Sequence, residues 1–290
     1  MKNVYKIAFL YKFFERTLHR AIYRTIYKNI YIYRLVIFIT RCTNYLPPHE
    51  EDIYGLNYLK LKEKSDFIDV GASDGLFFKG IRYIGFKNKF IAFEPLKTNI
   101  KYLSTIKKKY KNFKFYTIAL GARNGALMLY IPYYKKYSLS NWASYSKSEG
   151  KRTLQLRNFN MNFDKLNFKK RKIKQRKLDF FKLKPTLIKM DVEGYENKVL
   201  LGAIKTIKKY KPVIYVENNL KQGKYNTINF FKRKLSKFGY KPYIFNLEQK
   251  SFFKYNKNII RLLKDKQDVR GKRYFSYNIY FITKKHFIIQ

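Results

Sequence analysis

The feature that most constrains the fold of this sequence is a short apolar segment that ends in an acidic residue and recurs four times. The acidic residues at the four ends are Asp69, Glu94, Asp191 and Glu217. Short apolar segments that alternate with helix-forming stretches are typical of the parallel strands of an α/β sheet. Since ligands bind at the carboxyl ends of the strands in such sheets, we expect these acids to converge on one site.

The turn after the first segment indicates a ligand that contains a nucleoside. Asp69 and Val70 are followed by Gly71-Ala72-Ser73-Asp74-Gly75, and glycine lets the backbone approach a ligand closely. Glu94 follows roughly 20 residues later, a spacing that suits a carboxylate binding ribose hydroxyls. The turn lacks the three spaced glycines that admit a pyrophosphate, which disfavours a dinucleotide. S-adenosylmethionine has no phosphate, and Asp69 would suit its positively charged methionyl end. An ordinary strand-turn-helix unit is the alternative interpretation of this turn.

Seven motifs, in order from about residue 60 to residue 220, resemble the FkbM family of S-adenosylmethionine-dependent methyltransferases. The most specific is I-K-M-D-V-E-G-Y-E at 188–196. The others are I-D-V-G-A-S-D-G at 68–75, F-E-P at 93–95, A-L-G at 119–121, L-D at 178–179, L-x-G-A at 200–203 and P-x-x-x-x-E at 212–217. The resemblance implies an α/β, Rossmann-like, seven-strand class I methyltransferase fold and O-methyl transfer to sugar or natural-product hydroxyls. Ser73 departs from the family pattern, because many members have asparagine there.

The resemblance also assigns residues to the cofactor. The expected contacts lie in the first turn, at the acid after the second strand and in the A-L-G motif: Asp69, Gly71, Asp74, Gly75, Glu94, Ala119 and Leu120. Glu94 is expected at the ribose, and Ala119 with Leu120 near the adenine.

Methyl transfer to an alcohol requires removal of the hydroxyl proton during attack. No histidine lies near these motifs, so a carboxylate is the expected base, with Asp191 as first choice and Glu193 as second. Glu196 falls in the first turn of a helix, where the helix dipole or a site role explains it equally well. Glu217 is expected to bind the substrate, or a divalent ion together with Asp191 and Glu193, since hard cations prefer carboxylate oxygens. The sequence leaves the metal requirement open.

A segment rich in tyrosine, serine and asparagine, at about 132–150, is the candidate substrate loop. Trp142, the single tryptophan of the chain, and Tyr145 are its candidate substrate contacts. Aromatic faces next to hydroxyl and amide groups suit a sugar. A plain surface loop is the equally weighted alternative, because variability and function both concentrate in loops.

Residues 1–50 are predicted to form a basic amphipathic helical extension, which Pro47-Pro48 separates from a methyltransferase domain at 51–290. Lys12, Arg16, Arg20, Arg24 and Lys28 recur at every fourth position and form one polar stripe on a helix. Peripheral contact of residues 1–45 with an anionic membrane and packing on protein are equally compatible with this pattern. The most apolar part of residues 1–50 is too short to span a bilayer, and no signal peptide is recognised in this segment.

The formal net charge of +45 invites a nucleic-acid partner. Much of it is lysine, a residue that A+T-rich codons favour, so the charge alone does not establish such a partner. The single cysteine, Cys42, excludes an intramolecular disulfide framework and indicates a reducing compartment. The expected location is therefore cytoplasmic, and peripheral contact at the inner membrane face is one of the two open roles of residues 1–45.

The predicted function is O-methyl transfer to a sugar, glycan or related small molecule. The alternative is ribose 2′-O methylation of RNA. Base-amine methylation is disfavoured because the fourth strand lacks the Asn/Asp-Pro-Pro-aromatic motif. Cytosine C5 methylation needs a thiolate, and Cys42 lies outside the catalytic domain. The oligomeric state stays open.

Overall fold

The computed structural model describes residues 51–156, 161–219, 225–247, 249–256 and 276–287. The predicted helical extension at 1–50, with its membrane contact, lies outside the described residues. Within those ranges, no helix combines the length and the apolar character that crossing a membrane requires.

The strands, in chain order, are β1 (Asp66–Val70), β2 (Lys89–Phe93), β3 (Phe113–Tyr116), β4 (Ala119–Leu120), β5 (Gly125–Tyr134), β6 (Tyr137–Ser138), β7 (Leu166–Arg176), β8 (Pro185–Met190), β9 (Val213–Asn219), β10 (Lys241–Asn246), β11 (Ser251–Lys254) and β12 (Ser276–Ile282). The α-helices are α1 (Leu76–Tyr83), α2 (Lys97–Lys109), α3 (Lys147–Leu156), α4 (Glu196–Leu201), α5 (Ile204–Tyr210) and α6 (Tyr225–Leu235). Short 3₁₀ helices include Glu51–Tyr58, Ser140–Trp142 and Leu178–Phe181.

The larger sheet has the strand order β11-β10-β12-β9-β8-β1-β2-β3. Strands β1, β2, β3, β8 and β9 are parallel, whereas β12 runs antiparallel between β9 and β10. The predicted seven-strand class I methyltransferase fold is confirmed, and β11 adds an eighth strand at the edge. The strand order reverses between β1 and β8, and ligands bind at such a switch point in open α/β sheets.

The two faces of this sheet carry separate hydrophobic cores, because successive strand side chains point to opposite faces. Phe67 of β1 packs with Phe78 of α1 on one face, and Ile68 packs with Val199 of α4 on the other. These side chains are fully buried. Burial of each contributes roughly 1.5–3 kcal/mol to folding, which fixes the sheet on both sides and leaves the strand ends for function.

A smaller sheet, with the order β4-β7-β5-β6, follows β3 in the chain. Its long antiparallel pair joins Gly125–Tyr134 to Leu166–Gln175, so that Leu129 lies directly opposite Arg171. Leu129 and Ile131 pack against Leu96, the residue that precedes α2. This contact fastens the smaller sheet over the carboxyl ends of β1 and β2, and the smaller sheet therefore covers the switch point.

Candidate functional site

A cleft opens at the carboxyl ends of β1, β2 and β8, beneath the smaller sheet. It encloses about 750 Å³, its open mouth included. Its walls are formed by Val70, Gly71, Ser73, Phe93, Glu94, Pro95, Leu96, Asn99, Ala119, Leu120, Leu127, Leu129, Ser140, Asn141, Ala143, Tyr145, Asp191, Val192, Glu193 and Tyr195. The cleft therefore gathers residues from the first turn, at 71–75, from a second turn, at 191–195 between β8 and α4, and from the segment at 132–150.

Gly71 forms the floor where the first turn leaves β1. Its φ of +83° lies in the left-handed region, and a Cβ at this position would lie 1.9 Å from the carbonyl oxygen of Asp191. The Gly71 and Ala72 amides donate hydrogen bonds to the Phe93 carbonyl, at 3.0 and 3.2 Å. Only glycine fits here, because any side chain would collide with the neighbouring backbone.

Glu94 lies at the end of β2, in the wall of the cleft and only 5% exposed. Its carboxylate accepts hydrogen bonds from the backbone amides of Ser73 (2.9 Å) and Leu96 (2.8 Å). Burial raises its pKa from 4.5 to about 7, and the two backbone hydrogen bonds lower it in part. The Asn99 side chain donates a further hydrogen bond to this carboxylate. A carboxylate has about four lone-pair sites, so it keeps room to accept a hydrogen bond from a ligand hydroxyl.

Asp69, a predicted cofactor contact, lies outside the cleft wall. Its side chain is fully buried at the level of Lys189, whose Nζ lies 3.6 Å from Asp69 Oδ1. Burial raises the Asp69 pKa to about 6, and the charge of Lys189 counteracts this rise. Asp69 therefore contacts a cation of the protein at a position where the sequence predicted a cation of the cofactor.

Asp74 and Gly75 also lie outside the cleft wall. Asp74 is buried beneath the turn, and Gly75 has a φ of +84°. A Cβ at Gly75 would lie 2.3 Å from the terminal side-chain carbon of Ile106 in α2. Gly75 thus lets α1 begin close to α2. The other predicted cofactor residues, Gly71, Glu94, Ala119 and Leu120, line the cleft.

Three carboxylates meet at the ends of β8 and β9. One oxygen each from Asp191, Glu193 and Glu217 lies within 4.8 Å of the others. Asp191 and Glu193 line the cleft, whereas Glu217 is nearly buried behind them. Glu193 adopts a φ of +49°, an uncommon backbone conformation for a residue with a side chain. The cluster could surround one divalent cation or an acceptor hydroxyl, since both bind carboxylate oxygens.

Glu196, for which the sequence left two roles open, holds the second turn together. Its side chain is fully buried, and Oε1 accepts hydrogen bonds from the amides of Val192 (3.3 Å) and Gly194 (3.2 Å). These are amides that precede α4, and a carboxylate is stabilised there by the helix dipole. Glu196 therefore shapes the turn that presents Asp191 and Glu193.

The segment at 132–150 forms the roof of the cleft. Ser140, Asn141 and Tyr145 line the cleft, and the Ser73 hydroxyl lies 3.4 Å from Asn141 Oδ1. The Ser144 hydroxyl donates a hydrogen bond to the Glu193 carbonyl (3.3 Å). The roof thus touches both turns, the first at Ser73 and the second at Glu193.

Trp142, a predicted substrate contact, is only 3% exposed and lies outside the cleft wall. It packs with Tyr134, Leu139, Leu154 and Met161 in a small core of its own. Tyr145 is 41% exposed, lines the cleft and contacts the Tyr195 ring at a centroid distance of 5.1 Å. Of the two aromatic candidates, Tyr145 is therefore the one within reach of a substrate.

Sequence reasoning missed two polar groups of the site. Lys189 is a single cation inside a buried strand, and that isolated position was the available signal. Tyr195 lines the cleft, and its hydroxyl donates a hydrogen bond to Gln175 Oε1 (3.1 Å) in the smaller sheet. No local pattern distinguishes this tyrosine, because its partner is 20 residues away in the chain.

Comparison with known proteins gives one family match, to the methyltransferase FkbM domain, over residues 69–242. A methyltransferase FkbM from Methylobacillus flagellatus KT is 16% identical, with a TM-score of 0.48 over 92% of this chain. This chain spans only 60% of that structure's length. The precorrin-6y C5,15-methyltransferase of Geobacter metallireducens GS-15 is 11% identical, with a TM-score of 0.38 over 83% of this chain and 94% of its own.

A third structure is the fibrillarin pre-rRNA processing protein of Methanococcus jannaschii. It is 11% identical, with a TM-score of 0.39 over 83% of this chain and 77% of its own. The sequence gives no match among curated proteins.

Proposed function

The chain belongs to the FkbM methyltransferase family, and we propose that it transfers a methyl group from S-adenosylmethionine to a hydroxyl of a sugar, glycan or related small molecule. The observation that carries this proposal is the composition of the cleft. One half has a close-approach glycine, Gly71, and a buried carboxylate, Glu94. The other half has Asp191 and Glu193 under a roof of hydroxyl, amide and aromatic groups.

The first half fits the nucleoside part of S-adenosylmethionine. Glu94 would accept hydrogen bonds from the ribose hydroxyls, and the apolar side chains of Leu96, Leu120 and Leu127 would flank the adenine ring. Gly71 lines the cleft, so its backbone would contact the methionyl part, and the lack of a Cβ lets its turn pack against the Asp191 backbone. The bound cofactor supplies a methyl group on a sulfonium, which an acceptor oxygen can attack in line.

The second half provides for the acceptor. Asp191 would accept the proton of the acceptor hydroxyl as its oxygen takes up the methyl group that the bound cofactor would supply, so the proton would end on Asp191. The products would be a methyl ether and S-adenosylhomocysteine. Glu193 and Glu217 hold further acceptor hydroxyls, and the exposed Tyr145 ring offers a stacking surface for a sugar face. The buried Trp142 is assigned to the core.

The test is transfer of label from S-adenosylmethionine that carries a radioactive methyl group. The purified full chain is incubated with a cell-envelope glycan precursor fraction or with total RNA. We expect label in the glycan fraction, and its loss with Asp191→Asn. Binding of S-adenosylmethionine by that variant, measured by calorimetry, should stay within about threefold of wild type. Label that enters RNA alone would overturn the proposal in favour of ribose methylation.

A further inference from the structure

Lys189 lies inside β8 among side chains that are otherwise apolar or neutral. Its side chain is 7% exposed, and its Nζ lies 3.2 Å from Asp191 Oδ2 and 3.6 Å from Asp69 Oδ1. The ammonium thus joins the carboxylate at the end of β8 to a fully buried carboxylate on β1. Asp69 and Lys189 are direct neighbours in the register of these two strands.

We propose that Lys189 is a positioning residue of the methyl transfer, whose ammonium, anchored on Asp69, holds the Asp191 carboxylate at the acceptor end of the cleft. The inference rests on the proposed function of Asp191. It also gives Asp69 a role other than the cofactor contact that the sequence predicted.

The surroundings of Lys189 restrict the position of its ammonium group. The Phe77 ring of α1 lies with its centroid 5.3 Å from Nζ, and it stacks on Tyr215 of β9 at 5.8 Å. A cation on an aromatic face and between two carboxylates is held in one place. Asp191, in contrast, keeps a side-chain exposure of 26% and reaches into the cleft. The fixed member of the pair is therefore Lys189, and the functional member is Asp191.

Asp69 supplies the second half of the anchor. It is 0% exposed, and among the described residues neither of its oxygens has a hydrogen-bond partner, so the Lys189 ammonium at 3.6 Å is its ion-pair contact. A buried charge is retained only when it is paired, so the charged form of Asp69 depends on Lys189. Asp69 has no exposed surface and does not line the cleft, which supports the anchor role over a cofactor contact.

The test uses Asp69→Asn, Lys189→Met and the double variant. The double variant carries no unpaired buried charge. If Lys189 served the fold alone, this variant would therefore recover both the stability and the turnover of the wild type. The proposal predicts that the double variant recovers the melting temperature but not kcat. A displacement of about 1 Å can cost 100-fold in rate, so we expect kcat to fall about 100-fold while the KM values stay within threefold. These kinetic measurements use as acceptor the fraction that the wild-type protein labels.

Two further measurements need no acceptor. Crystal structures of the double variant should show the Asp191 carboxylate displaced or in several conformers, and an unmoved carboxylate would contradict the proposal. The double variant, which keeps its melting temperature, should bind S-adenosylmethionine within about twofold of wild type by calorimetry, whereas a large loss would restore Asp69 as a cofactor contact. If the wild type labels no glycan, the proposed acceptor class fails, and these two measurements still decide the role of Lys189.

The matched control is Lys89→Met. Lys89 lies 3.8 Å from Asp66 at the opposite end of β1 and β2, with a side-chain exposure of 58%. The substitution Lys89→Met removes one positive charge from the same sheet, as Lys189→Met does, but at a position away from the cleft. Wild-type kcat is expected for this variant, and a comparable loss would show that the Lys189 effect comes from net charge.

Discussion

The α-carbon of Gly71 lies so close to the carbonyl oxygen of Asp191 that a methyl group on residue 71 would come within 1.9 Å of that oxygen. The Asp191 amide in turn donates a hydrogen bond to the Val70 carbonyl (3.0 Å). The turn proposed to contact the cofactor and the turn that carries the candidate base are therefore joined through their backbones. Displacement of either turn would move the other.

Replacement of Gly71 by alanine should abolish binding of S-adenosylmethionine and destabilise the fold. Gly85→Ala is the matched control, because Gly85 also has a positive φ (+99°) but has no atom within 4 Å of an added Cβ. Both variants incur the left-handed backbone strain of about 1–2 kcal/mol, and only Gly71→Ala adds the clash. Urea unfolding and calorimetry check this. Equal losses in the two variants would refute the backbone contact as the cause.

Glu94 should make stability depend on pH. Its pKa is raised from 4.5 to about 7 by burial, so the protonated form is favoured in the folded state. The contribution of Glu94 to the free energy of unfolding is full below pH 4.5 and is lost as the pH rises through 7. The shift corresponds to a change of about 3 kcal/mol. Glu94→Gln should therefore gain stability relative to wild type between pH 4.5 and pH 8, measured by urea unfolding. A pH-independent difference would contradict this assignment.

The two aromatic residues of the roof should respond in opposite ways to truncation. Trp142→Ala should lower the free energy of unfolding by about 3–5 kcal/mol, because it empties a packed core. Tyr145→Ala should change stability by less than about 1 kcal/mol, since the ring is 41% exposed, and should raise the acceptor KM. Denaturant unfolding and steady-state kinetics separate the two effects. A stable Trp142→Ala with a raised acceptor KM would return Trp142 to the substrate site.

Residues 1–45 carry nine basic residues and one acid, and we expect them to bind anionic membranes. Each cation near such a surface contributes about 1 kcal/mol at low salt. The full chain should sediment with phosphatidylglycerol vesicles and not with phosphatidylcholine vesicles. Removal of residues 1–45 should abolish this binding. Undiminished binding by the shortened chain would assign the attraction to the basic body. If the full chain does not bind vesicles and the shortened chain is less stable than the full chain, packing of residues 1–45 on protein would be favoured.

The sequence by itself determined the strands and their acidic ends. The apolar segments that end at Asp69, Glu94, Asp191 and Glu217 are local patterns, and burial of such segments forces them into one sheet. The eighth strand, β11, escaped prediction because a short edge strand buries little apolar surface.

Only the tertiary structure decided which side chains reach the cleft. Val70 and Asp69 are neighbours on β1, yet successive residues point to opposite faces, so Val70 lines the cleft and Asp69 turns to Lys189. Trp142 and Tyr145 differ in the same way, since contacts with Leu154 and Met161, distant in sequence, bury one and leave the other exposed. Local sequence fixes the alternation of side chains along a strand. Which face becomes core and which becomes site depends on what packs against it.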